Sequence, residues 1–251
     1  MGWGDELIVT GQARKMQQSC PHKVVVYDRN GRIRAHEMWR DNPRIATRDE
    51  RLSKTQTLKS APGFRPYIAD KHDSKWTWKD FECTPGEIYF SKEELDFAAP
   101  YSGGIMLEPN NKAQASPNKD WGLLRWIKLA ELLHSLGLPL WQVGSEGTRV
   151  LPGVKLIETP TFRHGCVVLA RARAAVLPEG GLHHAAAAVG VKAVVIFGGY
   201  ISPKQTGYTL HTNLFTGGKP CGARQPCAHC TKAMEAITPE AVFDELTRIL
   251  Q

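Results

Sequence analysis

The run Leu177-Pro178-Glu179-Gly180-Gly181-Leu182-His183-His184 has the greatest density of reactive side chains in the sequence, and alanines at 185–188 follow it. It reads as the end of a strand, a glycine turn and the start of a small-residue helix. Glycines let a ligand approach the backbone, and the first N–H groups of a helix meet it with the positive end of the helix dipole. Such a unit binds anions, and the two histidines stand where a phosphate would sit. The apolar run Val194-Val195-Ile196-Phe197 then closes on a second glycine turn, Gly198-Gly199, as a fully buried strand would.

Two other places hold chemistry. Asp5 and Glu6 follow Gly2-Trp3-Gly4 and open a segment, 6–16, that reads as a helix with Asp5 as its cap. Near the other end, Cys221-x5-Cys227-x2-Cys230 contains a zinc-like CxxC without an obvious fourth ligand. His229 is next to Cys230 and would have to turn back, so a zinc ion would call on His211 or Cys166 from a distance. Free thiols are the favoured reading, and no metal is expected to be required. Cys20, Cys83 and Cys166 are isolated and read as inert thiols.

The elements that must position these residues alternate in the second half of the chain. After the linker-like Pro100-Tyr101-Ser102-Gly103-Gly104, a strand begins at Ile105, a helix with one apolar face covers 122–136, and strands follow at 140–144 and 153–157. A helix over about 163–173 precedes the featured unit, and Thr238-Pro239 caps a terminal helix. Alternation of this kind predicts a parallel, doubly wound α/β sheet. The first half is less regular. It offers a buried strand at 23–28, a strand over 86–90, an edge strand at Trp76-Thr77-Trp78, and a capping box at Ser91-Lys92-Glu93-Glu94. The composition shift divides the chain into 1–102 and 103–251. Asn111 and Lys112 follow one strand end, and Lys204, Thr206 and Tyr208 follow another, positions from which α/β proteins contact ligands.

The formal net charge is +7, and residues 11–79 concentrate it, with 16 lysines and arginines against 7 acids. A basic stretch carrying Trp39, Trp76 and Trp78 suits a polyanionic partner, although linear clustering alone does not make a patch. The sequence has no apolar run long enough to span a membrane and no signal-peptide pattern at Met1-Gly2-Trp3, which points to a cytoplasmic protein.

Four segments, in order, resemble the heptosyltransferase-like glycosyltransferases of family 9: Asn118-Lys119-Asp120-Trp121 with the helix after it; Glu179-Gly180-Gly181-Leu182-His183-His184; Phe197-Gly198-Gly199 with Pro203 and Gly207-Tyr208; and Cys227 to Leu246. The resemblance covers roughly residues 104–250. Gly4-Asp5 with Leu7 and Thr10 resembles the family's Gly-Asp loop, with two departures: the strand that precedes this loop is missing, and the first domain is short.

The resemblance implies a GT-B fold of two Rossmann-like domains, the first reduced or rearranged. It implies transfer of a sugar from a nucleotide-diphosphate sugar, the donor substrate, with inversion and without a required cofactor. Asp5 would be the base, with Glu6 in reserve. Lys119 and the N–H groups of Gly180, Gly181, Leu182 and His183 would hold the diphosphate, Glu179 would bind sugar hydroxyls, and His184 rather than His183 would be the ligand by motif position. The acceptor stays open between a lipopolysaccharide-core saccharide and a hydroxymethylated base in DNA. The alternative is a non-catalytic nucleotide-sugar or nucleic-acid binding module.

Overall fold

The computed structural model describes residues 2–50, 53–110, 116–145 and 147–251. Its first part contains α1 (Trp3–Ser19), β1 (Val24–Tyr27), β2 (Gln56–Lys59), β3 (Ile68–Lys71), β4 (Trp76–Trp78) and α2 (Lys92–Ala98). The second contains β5 (Ile105–Leu107), α3 (Leu123–His134), β6 (Leu140–Gly144), β7 (Lys155–Glu158), α4 (Phe162–Leu169) and β8 (Ala174–Pro178). It continues through α5 (Gly181–Val189), β9 (Ala193–Gly198), α6 (Pro203–Thr206), β10 (Thr212–Phe215), α7 (Ala228–Glu235) and α8 (Pro239–Leu250).

The main sheet has the order β10-β9-β8-β5-β6-β7, with every pairing parallel. The chain winds outward from β5 to β7, then returns to the other side of β5 as β8. Loops leaving β5 and β8 therefore diverge, and the crevice between them is where doubly wound sheets bind ligands. Successive strand residues face opposite sides. Ala174 and Val176 join the core under α3 and α8, whereas Ala175 and Leu177 join the core under α4 and α5. That second core continues without a break into the first part through Leu7, Ile8, Val24, Val26 and Met38.

The first part is reduced, as expected. It has two parallel strands, β1 and β2, beside α1, and the antiparallel pair β3–β4. The capping box at Ser91 and Glu94 and the Thr238 cap of α8 are both present. Residues 86–90 do not form the expected strand. Their backbone is committed elsewhere, Glu87 N–H donating to Thr10 Oγ1 at 2.9 Å and the Tyr89 carbonyl accepting from Arg163. Helix α4 ends at Leu169 rather than near 173, because Arg173 N–H already donates to the Gly104 carbonyl beside β5.

Arg163, 1% exposed, ties the two parts together. From α4 it forks onto Glu94 of α2 at 2.7 and 2.8 Å and donates to the Glu37 carbonyl at 3.0 Å. Burial pushes the Glu94 carboxyl up, but the Arg163 fork, the Ser91 N–H and Arg40 outweigh it and hold its pKa down at about 2. Without Arg163, Glu94 would keep only the half-exposed Arg40 and the Ser91 N–H, and its buried charge would be poorly compensated. Arg163→Met should therefore cost about 3–5 kcal/mol in urea unfolding at pH 7. The Glu94 contribution is complete above its ordinary pKa of 4.5 and is lost as pH falls toward about 2, so wild-type stability should drop across that window and Glu94→Gln should flatten the drop.

Candidate functional site

A cavity of about 740 Å³ opens at the β5/β8 crevice and is walled by both parts of the chain. Its floor is the meeting of two helix N-termini. Helix α1 begins at Trp3 with Gly2 as its cap, and α5 begins at Gly181 with Gly180 as its cap. A Cβ on Gly4 would lie 2.4 Å from His184 Cδ2 and 3.4 Å from the Gly181 Cα, and one on Gly181 would lie 3.1 Å from Phe162 Cζ. Glycine at position 4 lets the two helix starts touch, and glycine at position 181 leaves room for the Phe162 ring. Trp3 stacks on Phe162 at 5.2 Å beside this junction.

Asp5 is therefore not the cap of α1 but a first-turn residue whose N–H donates to the Gly2 carbonyl. Its carboxylate lines the cavity, 8% exposed, and accepts from Arg65 Nε at 3.0 Å on both oxygens and from Tyr67 Oη at 3.4 Å. Burial raises its pKa, against the pull of Arg65. Glu6 points away from the cavity and is buried in an ion pair with Arg34 at 2.8 Å.

Across the cavity, Glu179 is 4% exposed and ion-paired with Lys119. Burial raises the Glu179 carboxyl, but the Lys119 ammonium more than offsets it and the group stays ionised, below its ordinary range. Lys119 also lies 5.3 Å over the Tyr200 ring. Gly180, Gly181, Leu182 and His184 line the same wall.

The two histidines separate cleanly. His183 is fully buried, its Nε2 donating to the Thr206 carbonyl at 2.8 Å and its Nδ1 accepting from Gly180 N–H at 3.0 Å. It is a structural residue, and it takes up the Gly180 N–H expected to face a ligand. The helix start leaves the N–H groups of Gly181 and Leu182 without intrahelical partners. His184 meets Tyr208 Oη through Nδ1 at 2.7 Å, and its other edge lies against Gly4 at the cavity. Burial and the neighbouring His183 push the His184 pKa well below its usual value, so it is a neutral imidazole. Glu179, His183 and His184 lie close enough together to suggest a metal triad. Lys119 already engages Glu179, the Thr206 carbonyl and Gly180 N–H engage both nitrogens of His183, and Tyr208 engages Nδ1 of His184.

Thr206 and Tyr208 sit behind the histidines rather than on the cavity wall, and Lys204 is exposed outside it. Asn111 and Lys112 lie outside the described residues. The cavity has a face that no local pattern marked. Arg65, Trp76, Trp78 and Arg224 line it, with the Arg65 and Arg224 guanidinium carbons 5.0 and 4.3 Å from the Trp76 ring centroid. Trp76 and Trp78 were visible as an aromatic pair, but the arginines come from distant segments. Glu108, at the end of β5, was also missed. Burial pushes it up to about 7, although it accepts from Asn110 N–H at 2.8 Å.

No family model matches the sequence, and no curated protein matches it either. The fold does find relatives. A family 9 glycosyl transferase from Veillonella parvula superposes with a TM-score of 0.65 at 15% identity, over 100% of this chain and 95% of that one. This chain has the family 9 glycosyltransferase fold. The E. coli ADP-heptose lipopolysaccharide heptosyltransferase II superposes with a TM-score of 0.50 at 20% identity, over 67% of this chain and 54% of its own. The GT-B-like reading of the fold thus stands, with the first unit cut down to α1, α2, two parallel strands and an antiparallel pair among the described α-helices and strands.

Two outcomes follow from this geometry. Gly4→Ala should force His184 or α1 aside, lowering stability by about 1–3 kcal/mol in thermal unfolding. In carboxyl-labelled glutamate NMR, one resonance should titrate near pH 7 and vanish in Glu108→Gln. Because that pKa is raised, the proton stabilises the fold most at low pH, and the contribution is lost as pH rises through about 7.

Proposed function

We propose that this chain is an inverting glycosyltransferase that moves a sugar from a nucleoside-diphosphate sugar to a hydroxyl of an anionic saccharide. Residues 103–251 hold the donor, and residues 1–102 present the acceptor and the base. One observation carries the reading: Asp5 and the Glu179–Gly181 turn sit on touching helix starts in one cavity, in a fold matched end to end by a family 9 glycosyltransferase. The E. coli relative is an ADP-heptose lipopolysaccharide heptosyltransferase, which supports a heptose or hexose donor and a lipopolysaccharide-core acceptor. The basic, tryptophan-bearing cavity face supports an acceptor that carries phosphate or carboxylate groups. Of the three tryptophans in the basic stretch, Trp76 and Trp78 line the cavity, whereas Trp39 is buried with its indole N–H donating to the Glu6 carbonyl.

A sugar hydroxyl is a weak nucleophile at neutral pH, so a base must take its proton as the new bond to the anomeric carbon forms. Asp5 does this. Its raised pKa makes it a stronger base than a solvated aspartate, and Arg65 and Tyr67 fix its direction. Attack comes from the face opposite the departing diphosphate, so the anomeric configuration inverts. The charge gathering on the diphosphate meets Lys119, the N–H groups of Gly181 and Leu182, and the positive ends of two helix dipoles. Donor binding draws Lys119 from Glu179 toward phosphate and leaves Glu179 to accept from sugar hydroxyls. These groups supply the positive charge at the diphosphate, so turnover is expected without added divalent metal.

The test is release of nucleoside diphosphate from a panel of nucleotide sugars, with lipopolysaccharide core, hydroxymethylated DNA or no acceptor. Release with the saccharide alone, unchanged by added Mg²⁺ or Mn²⁺, is the expected result. Asp5→Asn should lower kcat about 10²–10⁴-fold while donor binding persists. The acid limb of kcat/KM should lie above the ordinary aspartate pKa of 3.8. Donor binding without release under any condition would instead mark a binding module, and release with DNA alone would reassign the acceptor.

A further inference from the structure

The proposed transfer does not use the cysteines near the C-terminus. We propose that Cys221, Cys227, His229 and Cys230 bind one zinc ion, and that this ion fixes the loop forming one wall of the cavity. The donor atoms of the four residues lie within 4.8 Å of one another. Cys221 Sγ is 3.6 Å from Cys227 Sγ and 2.9 Å from Cys230 Sγ, and Cys230 Sγ is 3.9 Å from His229 Nδ1. A tetrahedral zinc holds sulfur at about 2.3 Å and imidazole nitrogen at about 2.0 Å, which spaces its donors roughly 3.3–3.8 Å apart. Shifts of less than about 1 Å would bring these contacts to that spacing. The fourth ligand is thus His229, turned back from its place beside Cys230, and neither His211 nor Cys166 belongs to the group.

Two further features fit a ligand set better than loose thiols. His229 Nε2 lies 2.7 Å from the Gly217 carbonyl. A carbonyl only accepts, so Nε2 carries the proton and the Nδ1 lone pair faces the sulfurs, the outer-shell arrangement common to metal-bound histidine. Backbone N–H groups also point at sulfur, Ala223 to Cys221 at 3.4 Å and Cys230 to Cys227 at 3.5 Å, which favours thiolates. Binding would release the thiol protons to solvent. Three thiolates and an imidazole make a closed, soft donor set suited to a structural zinc.

The neighbours of this loop show what the ion would position. Cys221 N–H donates to the Gly199 carbonyl, Gly222 N–H to the Tyr200 carbonyl, and Trp76 N–H to the Gly222 carbonyl at 2.9 Å. A Cβ on Gly222 would lie 1.9 Å from the Trp76 carbonyl oxygen, so this approach requires glycine. Asn118 reaches over from the turn that carries Lys119, donating to the Ala223 and Gln225 carbonyls and accepting from Cys227 N–H. The knuckle therefore holds Tyr200, Trp76 and the Lys119 turn in mutual register.

Metal analysis of the full chain, purified without added zinc, should find about one zinc per chain. Zinc below about 0.2 equivalent, iron in its place, or a Cys221–Cys230 disulfide in non-reducing mass spectrometry would overturn the proposal. Cys227→Ser should weaken zinc binding at least about 100-fold, whereas His229→Cys should retain it. If Cys227→Ser does not fold, a chelator titration of the wild type, with a dye reporting released zinc, takes its place. Release should shift the tryptophan fluorescence, and most of the shift should be missing in Trp76→Phe. A shift that survives in Trp76→Phe would rule out the positioning role.

Discussion

The contact between the starts of α1 and α5 is the constraint on which the remaining structure depends. Each helix begins with unpaired N–H groups and the positive end of a dipole, and bringing two such ends together is unfavourable unless something negative lies between them. Gly4 makes the approach sterically possible, and the carboxyl groups of Asp5 and Glu179 lie on either side of it. Arg65 and Lys119 then neutralise those carboxylates. The result is two ion pairs, Asp5–Arg65 and Glu179–Lys119, lining one cavity.

Holding that junction needs a rigid frame, and the chain builds one by joining its two parts instead of hinging them. A single core runs from the sheet face under α4 and α5 into Leu7, Val24 and Met38. Arg163 reinforces it from α4 with a fork onto Glu94 and a bond to the Glu37 carbonyl. Such a buried pair adds little to stability compared with an apolar substitute, but it fixes one geometry because neither charge tolerates losing its partner. Among the described residues the first part has two parallel strands and one antiparallel pair, and its core is continuous with that of the main sheet.

Much of the second half was legible from the chain alone. Short apolar runs between glycines mark β8 and β9, a one-sided leucine pattern marks α3, and Thr238-Pro239 marks the start of α8, because these signals are local and act within a few residues. The segment 86–90 misled for the same reason. Its alternation suits a strand, but its backbone partners are Thr10 and Arg163, far away in sequence. His229 was legible as a neighbour of Cys230 but not as a member of the cysteine cluster, since only the fold turns its ring back, with Nε2 against the distant Gly217 carbonyl.

By itself, the sequence determined the alternating α/β order, the glycine turn after Glu179, the acidic start of α1 and the grouping of three cysteines. All of these follow from residue type and short spacing. Only the tertiary structure decided which groups share a cavity. It brought Asp5 opposite Glu179, gave His183 to the core and His184 to the cavity, sent Glu6 to Arg34, and assembled Arg65, Trp76, Arg224 and Glu108 on walls built from separate segments. The reason is the order of the sheet. Winding out from β5 and returning at β8 places loops far apart in sequence side by side, and no local pattern records which of them will meet.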